Sequence, residues 1–192
     1  YMTGYLKKLP IKLPKTEEEE KLAEGVVEKV NLILNHHKEL LELENKISKF
    51  PDSYITGKLY PLLNVMEGRE LSRESYSSSS LRIEVEDIEG KTIYKVLLAK
   101  KDYIAFKSES SAKFLLEVLK RKEKIIKSDL LRMQVTSEKD TERIMSEYAG
   151  DLEKMEGLKR EIADLDKSID ELVYELYGLD EEDKKVIEEF LA

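Results

Sequence analysis

Hydrophobic residues recur at spacings of three and four over two long stretches of the chain, and each stretch predicts a helix with one apolar side. The first runs from Thr16 to about Lys49 and the second from Ser137 to Tyr177. The first stripe consists of Leu22, Val26, Val30, Ile33, Leu40 and Ile47, joined by Val27, Leu34, Leu41 and Leu43. The second consists of Ile144, Tyr148, Leu152, Met155, Leu158, Ile162, Leu165, Ile169, Leu172 or Val173, and Leu176. Their matching lengths predict an intramolecular antiparallel coiled-coil stalk.

Residues at the ends of both stretches favour the same helix boundaries. Thr16 and Glu19 have the spacing of a capping box, and Phe50-Pro51-Asp52 ends the first helix. Thr136 or Ser137 caps the second helix, Gly178 stops it, and Asp180 begins a short further helix. Gly150 and Gly157 lie inside the second helix, where we expect them to mark the close approach of another backbone.

The only clear β pattern lies between the two helices. Leu81, Ile83 and Val85 alternate with polar residues, Glu89-Gly90 forms a turn, and 92–98 and 103–106 predict two further strands. A helix is predicted over about 110–122, with Phe114, Leu115, Val118 and Leu119 on its inner side. Around these elements we expect a short helix within 58–67, a mobile loop over 75–80 and an extended return over 125–135.

The predicted fold class is therefore α+β, a long antiparallel two-helix coiled-coil stalk with a small inserted α+β subdomain of a short antiparallel sheet plus a helix. The stalk comprises 16–50 and 136–192, and the insertion comprises 51–135. Residues 1–15 form a basic extended segment that precedes the stalk and ends an upstream recognition domain. The opening Tyr1-Met2-Thr3-Gly4-Tyr5 does not read as a natural N-terminus, so we expect a piece of a larger protein.

Composition narrows the classes of function. Charged residues make up 39% of the chain, well above the usual quarter, which fits long helices with one solvated side. The net charge of −8 argues against a surface built throughout for nucleic acid but leaves room for a local basic patch. The absence of cysteine excludes disulfides and thiolate metal sites and favours a cytoplasmic setting. No apolar run has the length of a membrane span, so no membrane partner is expected.

Two groups of basic residues are candidates for contact with DNA. Residues 1–15 contain four lysines and no acid, and their prolines favour an extended segment. This segment is either a strand end leading into a helix or a basic edge facing a phosphate backbone. The second group ends the helix of the insertion, where basic residues suit the helix dipole as well as a binding role. The candidate DNA-binding residues are Lys7, Lys8, Lys12, Lys120, Arg121, Lys122 and Lys124.

Few other patterns suggest chemistry. The chain has no glycine-rich phosphate loop and no Asn-Pro-Pro-Tyr or Asp-Pro-Pro-Tyr tetrapeptide. Pro51-Asp52 followed by Glu89-Gly90-Lys91 imitates a pattern of metal-dependent nucleases, but a helix stop and a hairpin turn explain these residues better. His36 and His37 are adjacent and point in different directions, which favours seam or surface positions over metal ligation. No catalytic, cofactor-binding or metal site is therefore predicted.

One segment resembles a known family. It reads Ile169-Asp170-Glu171-Leu172-Val173-Tyr174-Glu175-Leu176-Tyr177-Gly178-Leu179-Asp180-Glu181-Glu182, and Val186-Ile187-Glu188 follows. It resembles the C-terminal ending of adenine-N6 DNA methyltransferases and combined type II restriction–modification enzymes of the Eco57I and TaqI-like type. The family ending has Ile before Val where this chain has Val186-Ile187. Tyr5-Leu6-Lys7-Lys8-Leu9-Pro10-Ile11 is similar to the exit from the recognition domain in these enzymes, whereas 51–135 matches nothing specific.

The resemblance implies a non-catalytic C-terminal DNA-recognition or spacer fragment of such an enzyme. In the family the methyltransferase domain lies upstream and binds S-adenosylmethionine, with Mg²⁺ as a further ion where the enzyme also cleaves DNA. The expected partners are double-stranded DNA, other domains of the parent chain and a second copy bound through the coiled coil. The alternative hypothesis, supported by the acidic balance and the solvated helix sides, is a structural coiled-coil module that binds protein and has no affinity for DNA.

Overall fold

The computed structural model describes residues 12–191, which form a mixed helical and β structure. The helices are α1 (Glu17–Ser48), α2 (Leu62–Val65), α3 (Glu109–Lys120), α4 (Lys127–Arg132), α5 (Glu138–Tyr177) and α6 (Glu181–Leu191). The strands are β1 (Leu59–Pro61), β2 (Gly68–Glu70), β3 (Ser75–Ser77), β4 (Arg82–Ile88), β5 (Lys91–Leu97), β6 (Tyr103–Phe106), β7 (Lys124–Ile126) and β8 (Gln134–Thr136). This arrangement confirms the predicted α+β class.

The described chain divides into two compact units. The α/β unit comprises Asn45–Glu153, and the helical unit comprises the described residues up to Glu44 together with those from Lys154 onward. The sequence patterns predicted that the insertion begins at residue 51 and ends at residue 135. The α/β unit includes the ends of both long helices because Ile144 and Tyr148 are buried in its core.

The predicted helix boundaries are confirmed by their hydrogen bonds. Thr16 Oγ1 accepts from the amide of Glu19 at 3.2 Å, and Ser137 Oγ accepts from the amide of Asp140 at 3.2 Å. After α5, the amide of Gly178 donates to Glu175 O and the amide of Leu179 to Tyr174 O, both at 3.0 Å, which is the Schellman arrangement. Gly178 adopts a φ of +67° there, a conformation that costs glycine least.

A four-stranded antiparallel sheet in the order β2-β6-β5-β4 organises the α/β unit. Val96 pairs with Ile104 and Tyr94 with Phe106, so these side chains share the inner face. Behind that face α3 supplies Phe114, Leu115 and Leu119, which are buried as expected, while Val118 is half-buried. Two smaller antiparallel pairs, β1 with β8 and β3 with β7, complete the unit.

Aromatic side chains close the core where α1 ends. The Phe50 ring lies 4.5 Å from that of Tyr148 and 5.6 Å from those of Tyr54 and Phe114, measured between centroids. The Tyr54 hydroxyl donates to Asp151 Oδ2 at 2.7 Å, and Lys46 Nζ lies 2.7 Å from the same oxygen. Burial, followed by the bond to Asp151, raises the pKa of Tyr54 above its ordinary value.

Three predictions for the segments around the sheet are corrected. The serine-rich stretch expected as a mobile loop forms β3 and a 3₁₀ turn over Ser78–Ser80, because β3 pairs with β7 and buries Tyr76. The stretch over 125–135 is not extended throughout, since α4 interrupts it and buries Leu130. The short helix expected within 58–67 is reduced to α2, because β1 pairs with β8 just before it.

In the helical unit, α1 and α5 contact each other with their chain directions opposed. Lys154 donates to Glu39, and His36 Nδ1 lies 3.2 Å from Glu161 Oε2 without the alignment of a hydrogen bond. A Cβ at Gly25 would meet Leu172 Cδ1 at 3.3 Å. The antiparallel direction agrees with the predicted pairing, and the coiled-coil geometry stays a prediction.

The glycines of α5 do not mark a close approach. A Cβ at Gly150 or Gly157 would meet no atom within 4 Å, whereas a Cβ at Gly25 of α1 would meet Leu172 Cδ1 of α5 at 3.3 Å. The expectation for Gly150 and Gly157 is therefore wrong. The glycine at which α1 and α5 approach each other is Gly25, which lies on α1. None of the helices within 12–191 combines the length and the apolar character that a membrane span requires.

Candidate nucleic-acid interface

A buried carboxylate fixes one corner of the α/β unit. Asp102 ends the turn between β5 and β6 and is 2% exposed. Its carboxylate accepts from the amide of Ser72 and, at 3.0 Å, from the Ser72 hydroxyl. Its backbone oxygen accepts from the amide of Leu98 at 2.8 Å. Asp102 therefore joins the β5–β6 turn to the segment before β3.

The bonds from Ser72 hold the pKa of Asp102 below its ordinary value despite burial, with a smaller contribution from Arg73, whose Nε lies 3.8 Å from Oδ2. The carboxylate is therefore ionised at neutral pH. A buried charge of this kind is tolerated where hydrogen bonds satisfy it. Asp102 therefore holds the backbone at this corner through its hydrogen bonds with Ser72. The neighbouring Arg73 is exposed and takes no part in these hydrogen bonds.

Two basic chain segments meet at Asp102, and β3, which follows one of them, pairs with a third. Asp102 brings Arg73 and the turn residues Lys100 and Lys101 together. The pairing of β3 with β7 sets Ser77 opposite Lys124, with Lys122 two residues earlier. We call Arg73, Lys100, Lys101, Lys122 and Lys124 the basic surface. All five are exposed, and exposed cations next to turn hydroxyls are suited to phosphate oxygens.

The basic residues predicted at the end of α3 differ in whether their side chains have a partner. Arg121 donates to the Tyr148 hydroxyl at 3.0 Å and stacks 5.0 Å from the Phe50 ring centroid. Lys120 pairs with Glu117 at 2.9 Å. All four residues are exposed, but Arg121 and Lys120 have side-chain partners, whereas Lys122 and Lys124 form no salt bridge within residues 12–191 and belong to the basic surface.

The candidate DNA-binding residues of the N-terminal segment are Lys7, Lys8 and Lys12. Lys7 and Lys8 lie outside the described residues. Lys12 donates its amide to the Tyr177 hydroxyl at 3.1 Å and its ammonium to Leu176 O, and the same ammonium lies 2.8 Å from Glu19. Lys12, together with the amide of Lys15, holds the pKa of Glu19 below its ordinary value. Lys12 thus joins the start of α1 to the end of α5.

Charge is unevenly shared between the two units. The α/β unit contains 20 Lys and Arg residues against 19 Asp and Glu residues, while the rest of the chain contains 13 against 22. The acidic excess of the whole chain therefore belongs to the helical unit. A basic surface on a nearly neutral unit meets little long-range repulsion from a polyanion.

The residues of the nuclease-like pattern lie at separate places. Asp52 stands in the turn after α1, whereas Glu89 and Lys91 flank the β4–β5 hairpin turn, where Glu89 has a φ of +52°. Glu89 and Lys91 line a groove of about 350 Å³ on the outer face of the sheet, and Asp52 does not line it. Among residues 12–191, no three His, Asp or Glu side chains are grouped to hold a metal ion.

Sequence reasoning missed Arg73, Lys100 and Lys101. Arg73 lies between the predicted short helix and the predicted loop, where the sequence predicts no element, and Lys100-Lys101 lies between two predicted strands, where charged turns are common. The signal that could have identified Lys100 and Lys101 is their position as two adjacent lysines before an aspartate in a tight turn. No protein-family model, no curated protein and no solved structure matches this chain.

Proposed function

We propose that the chain is a non-catalytic DNA-recognition or spacer module of a restriction–modification adenine methyltransferase, and that its α/β unit contacts DNA phosphates. The observation that carries this proposal is the basic surface: Asp102 holds Arg73 beside the Lys100-Lys101 turn, and β3, which follows Arg73, pairs with the β7 strand of Lys124, so the nearly neutral α/β unit presents five exposed cations along these connected segments. The resemblance of 169–188 to the family ending supports the choice of parent enzyme.

The contacts proposed are of the positioning kind. Lysine and arginine ammonium and guanidinium groups neutralise phosphates without reading base sequence, and the counterions they release make affinity fall with salt. The helical unit, with α1 and α5 antiparallel, would act as the coiled-coil spacer and carry no DNA contact of its own. The chemistry in this proposal belongs to a methyltransferase domain that binds S-adenosylmethionine.

The test is the salt dependence of binding to a duplex of about 30 base pairs, followed by fluorescence anisotropy. We expect K100Q/K101Q/K122Q/K124Q to lower affinity at least about tenfold at low salt and to flatten the salt slope by roughly 0.9 for each phosphate that the variant no longer neutralises. The matched control is K29Q/K38Q/K139Q/K167Q, which removes the same charge from residues outside the basic surface and should change neither quantity by as much.

The proposal fails if the chain has no salt-dependent affinity for duplex DNA, or if both quadruple variants weaken binding equally. The first result would favour the protein-binding coiled-coil module instead. Charge reversal at Lys7 and Lys8 tests the N-terminal group separately. Lys12 is unsuitable for that purpose, because its substitution would also break the contacts to Glu19 and Tyr177.

A further inference from the structure

Helix α1 carries more apolar surface than α5 covers in the helical unit. One set of its apolar residues is half-buried or buried, and its members are Leu22, Val26, Ile33, Leu40 and Leu43. A second set remains in solvent, with exposed fractions of 59% for Val27, 40% for Val30, 61% for Leu34 and 65% for Leu41. The sequence pattern grouped these four residues with the other apolar residues of α1. Because they are exposed, we treat them separately from here on and call them the second stripe of α1, which is distinct from the apolar stripe of α5.

The second stripe has the geometry of a helix-packing seam. Val27, Leu34 and Leu41 are seven residues apart, and Val30 occupies the intervening position next to Val27. At about 100° per residue, Val27, Leu34 and Leu41 lie roughly a quarter turn around α1 from Val26, Ile33 and Leu40, and Val30 lies between these two rows. A heptad repeat of branched aliphatic residues is what a second partner helix packs against.

A groove begins at the N-terminal end of the second stripe. It is shallow and open to solvent, has a volume of about 450 Å³ and is lined by Pro14, Glu20, Ala23, Glu24, Val27 and Glu28. Leu13, next to Pro14, is 71% exposed. The groove thus combines apolar side chains with three carboxylates, as the edge of a helix-binding site does.

The carboxylates indicate the charge of the occupant. Glu20, Glu24 and Glu28 follow one another at the i, i+4 spacing that makes side chains neighbours, and like charges there destabilise a helix. No salt bridge joins any of the three to another of the residues 12–191. A second copy of the chain would bring a helical unit with the same excess, 22 acidic against 13 basic residues, so electrostatics favours a cationic occupant.

We infer that the second stripe is the docking site for a cationic amphipathic helix of a partner. That helix places aliphatic residues against Val27, Leu34 and Leu41 and lysines or arginines beside Glu20, Glu24 and Glu28. This site uses the helical unit alone, so it is independent of the DNA contacts proposed for the α/β unit. Either proposal can fail without the other.

The probe is a fluorescein-labelled peptide of about 20 residues, with leucine at heptad positions a and d and lysine elsewhere. A scrambled peptide of the same composition, without an apolar side, is the control for charge alone. We expect the intact chain to bind the patterned peptide at least about tenfold more tightly than the scrambled one. V27Q/L34Q and E20Q/E24Q/E28Q should each remove most of that preference.

Two matched variants control for composition. V85Q/I88Q replaces two exposed apolar residues of the α/β unit, and E142Q/E153Q/E175Q removes three exposed carboxylates outside the groove; both should leave binding unchanged. Equal binding of the two peptides, or an equal loss in the control variants, would overturn the inference. A dimer in sedimentation equilibrium that V27Q/L34Q converts to monomer would also overturn it, because the occupant would then be a second copy.

Discussion

At the scale of single residues, charged side chains that look alike in the sequence have different uses. Arg121 and Lys122 are adjacent and both are exposed, yet Arg121 donates to Tyr148 and stacks on Phe50 while Lys122 forms no salt bridge within residues 12–191. The planar guanidinium can lie on an aromatic ring and donate from its edge at the same time. The basic end of α3 therefore could not be divided between packing and binding until the aromatic cluster of the α/β unit was known.

Asp102 gives a prediction about pH. Because its pKa is lowered in the folded chain, its ionised form stabilises the fold above the unfolded value of about 4, and this stability is lost as pH falls through the folded value. We expect D102N to lower the free energy of unfolding by about 2 kcal/mol at pH 7. Urea unfolding at pH 7 and near pH 3 measures the difference, which should shrink in acid; a difference independent of pH would contradict it.

At the scale of elements, patterns of short range identified the helices and the main sheet. The hairpin of β4 and β5 follows from strict alternation and a Glu-Gly turn, and both strands occur where they were expected. The pairs β1–β8 and β3–β7 join segments far apart in the chain. Their members are three residues long, too short for a periodicity, so Ser75-Tyr76-Ser77 becomes a strand only because β7 supplies hydrogen-bond partners.

The glycines of the long helices give a prediction at this scale. G157A should raise the free energy of unfolding by about 1 kcal/mol, because alanine favours the helix and its Cβ meets nothing within 4 Å. G25A should gain clearly less, since its Cβ would press on Leu172 Cδ1 at 3.3 Å. Urea denaturation of both variants tests this. An equal gain from the two would show that α1 and α5 are not in contact at Gly25.

At the scale of the whole molecule, the separation of charge matters more than the total of −8. The helical unit holds the acidic excess and the α/β unit is nearly neutral. Salt therefore has two opposite effects. It screens repulsion among the carboxylates, which favours folding, and it weakens any binding of phosphate by the basic surface.

We accordingly expect the thermal unfolding midpoint to rise between about 20 and about 300 mM NaCl, because the Debye length falls below the spacing of the carboxylates on α1 and α5. Circular dichroism at 222 nm, which reports on helix, measures the midpoint. A control in E20Q/E24Q/E28Q should show a smaller rise, since part of the repulsion is gone. A midpoint that fell with salt would mean that attractive ion pairs dominate.

The two long helices, their caps, the hairpin and the class of the fold could be predicted from local patterns, because each depends on residues within a few positions of one another. Thr16, Ser137 and Gly178 have the roles that their local context predicts. Folded contacts were needed to establish that Arg73 lies beside Asp102, that Arg121 packs against aromatic rings, and which apolar residues of α1 stay in solvent. These outcomes depend on contacts between residues distant in the chain, and a local pattern does not specify them.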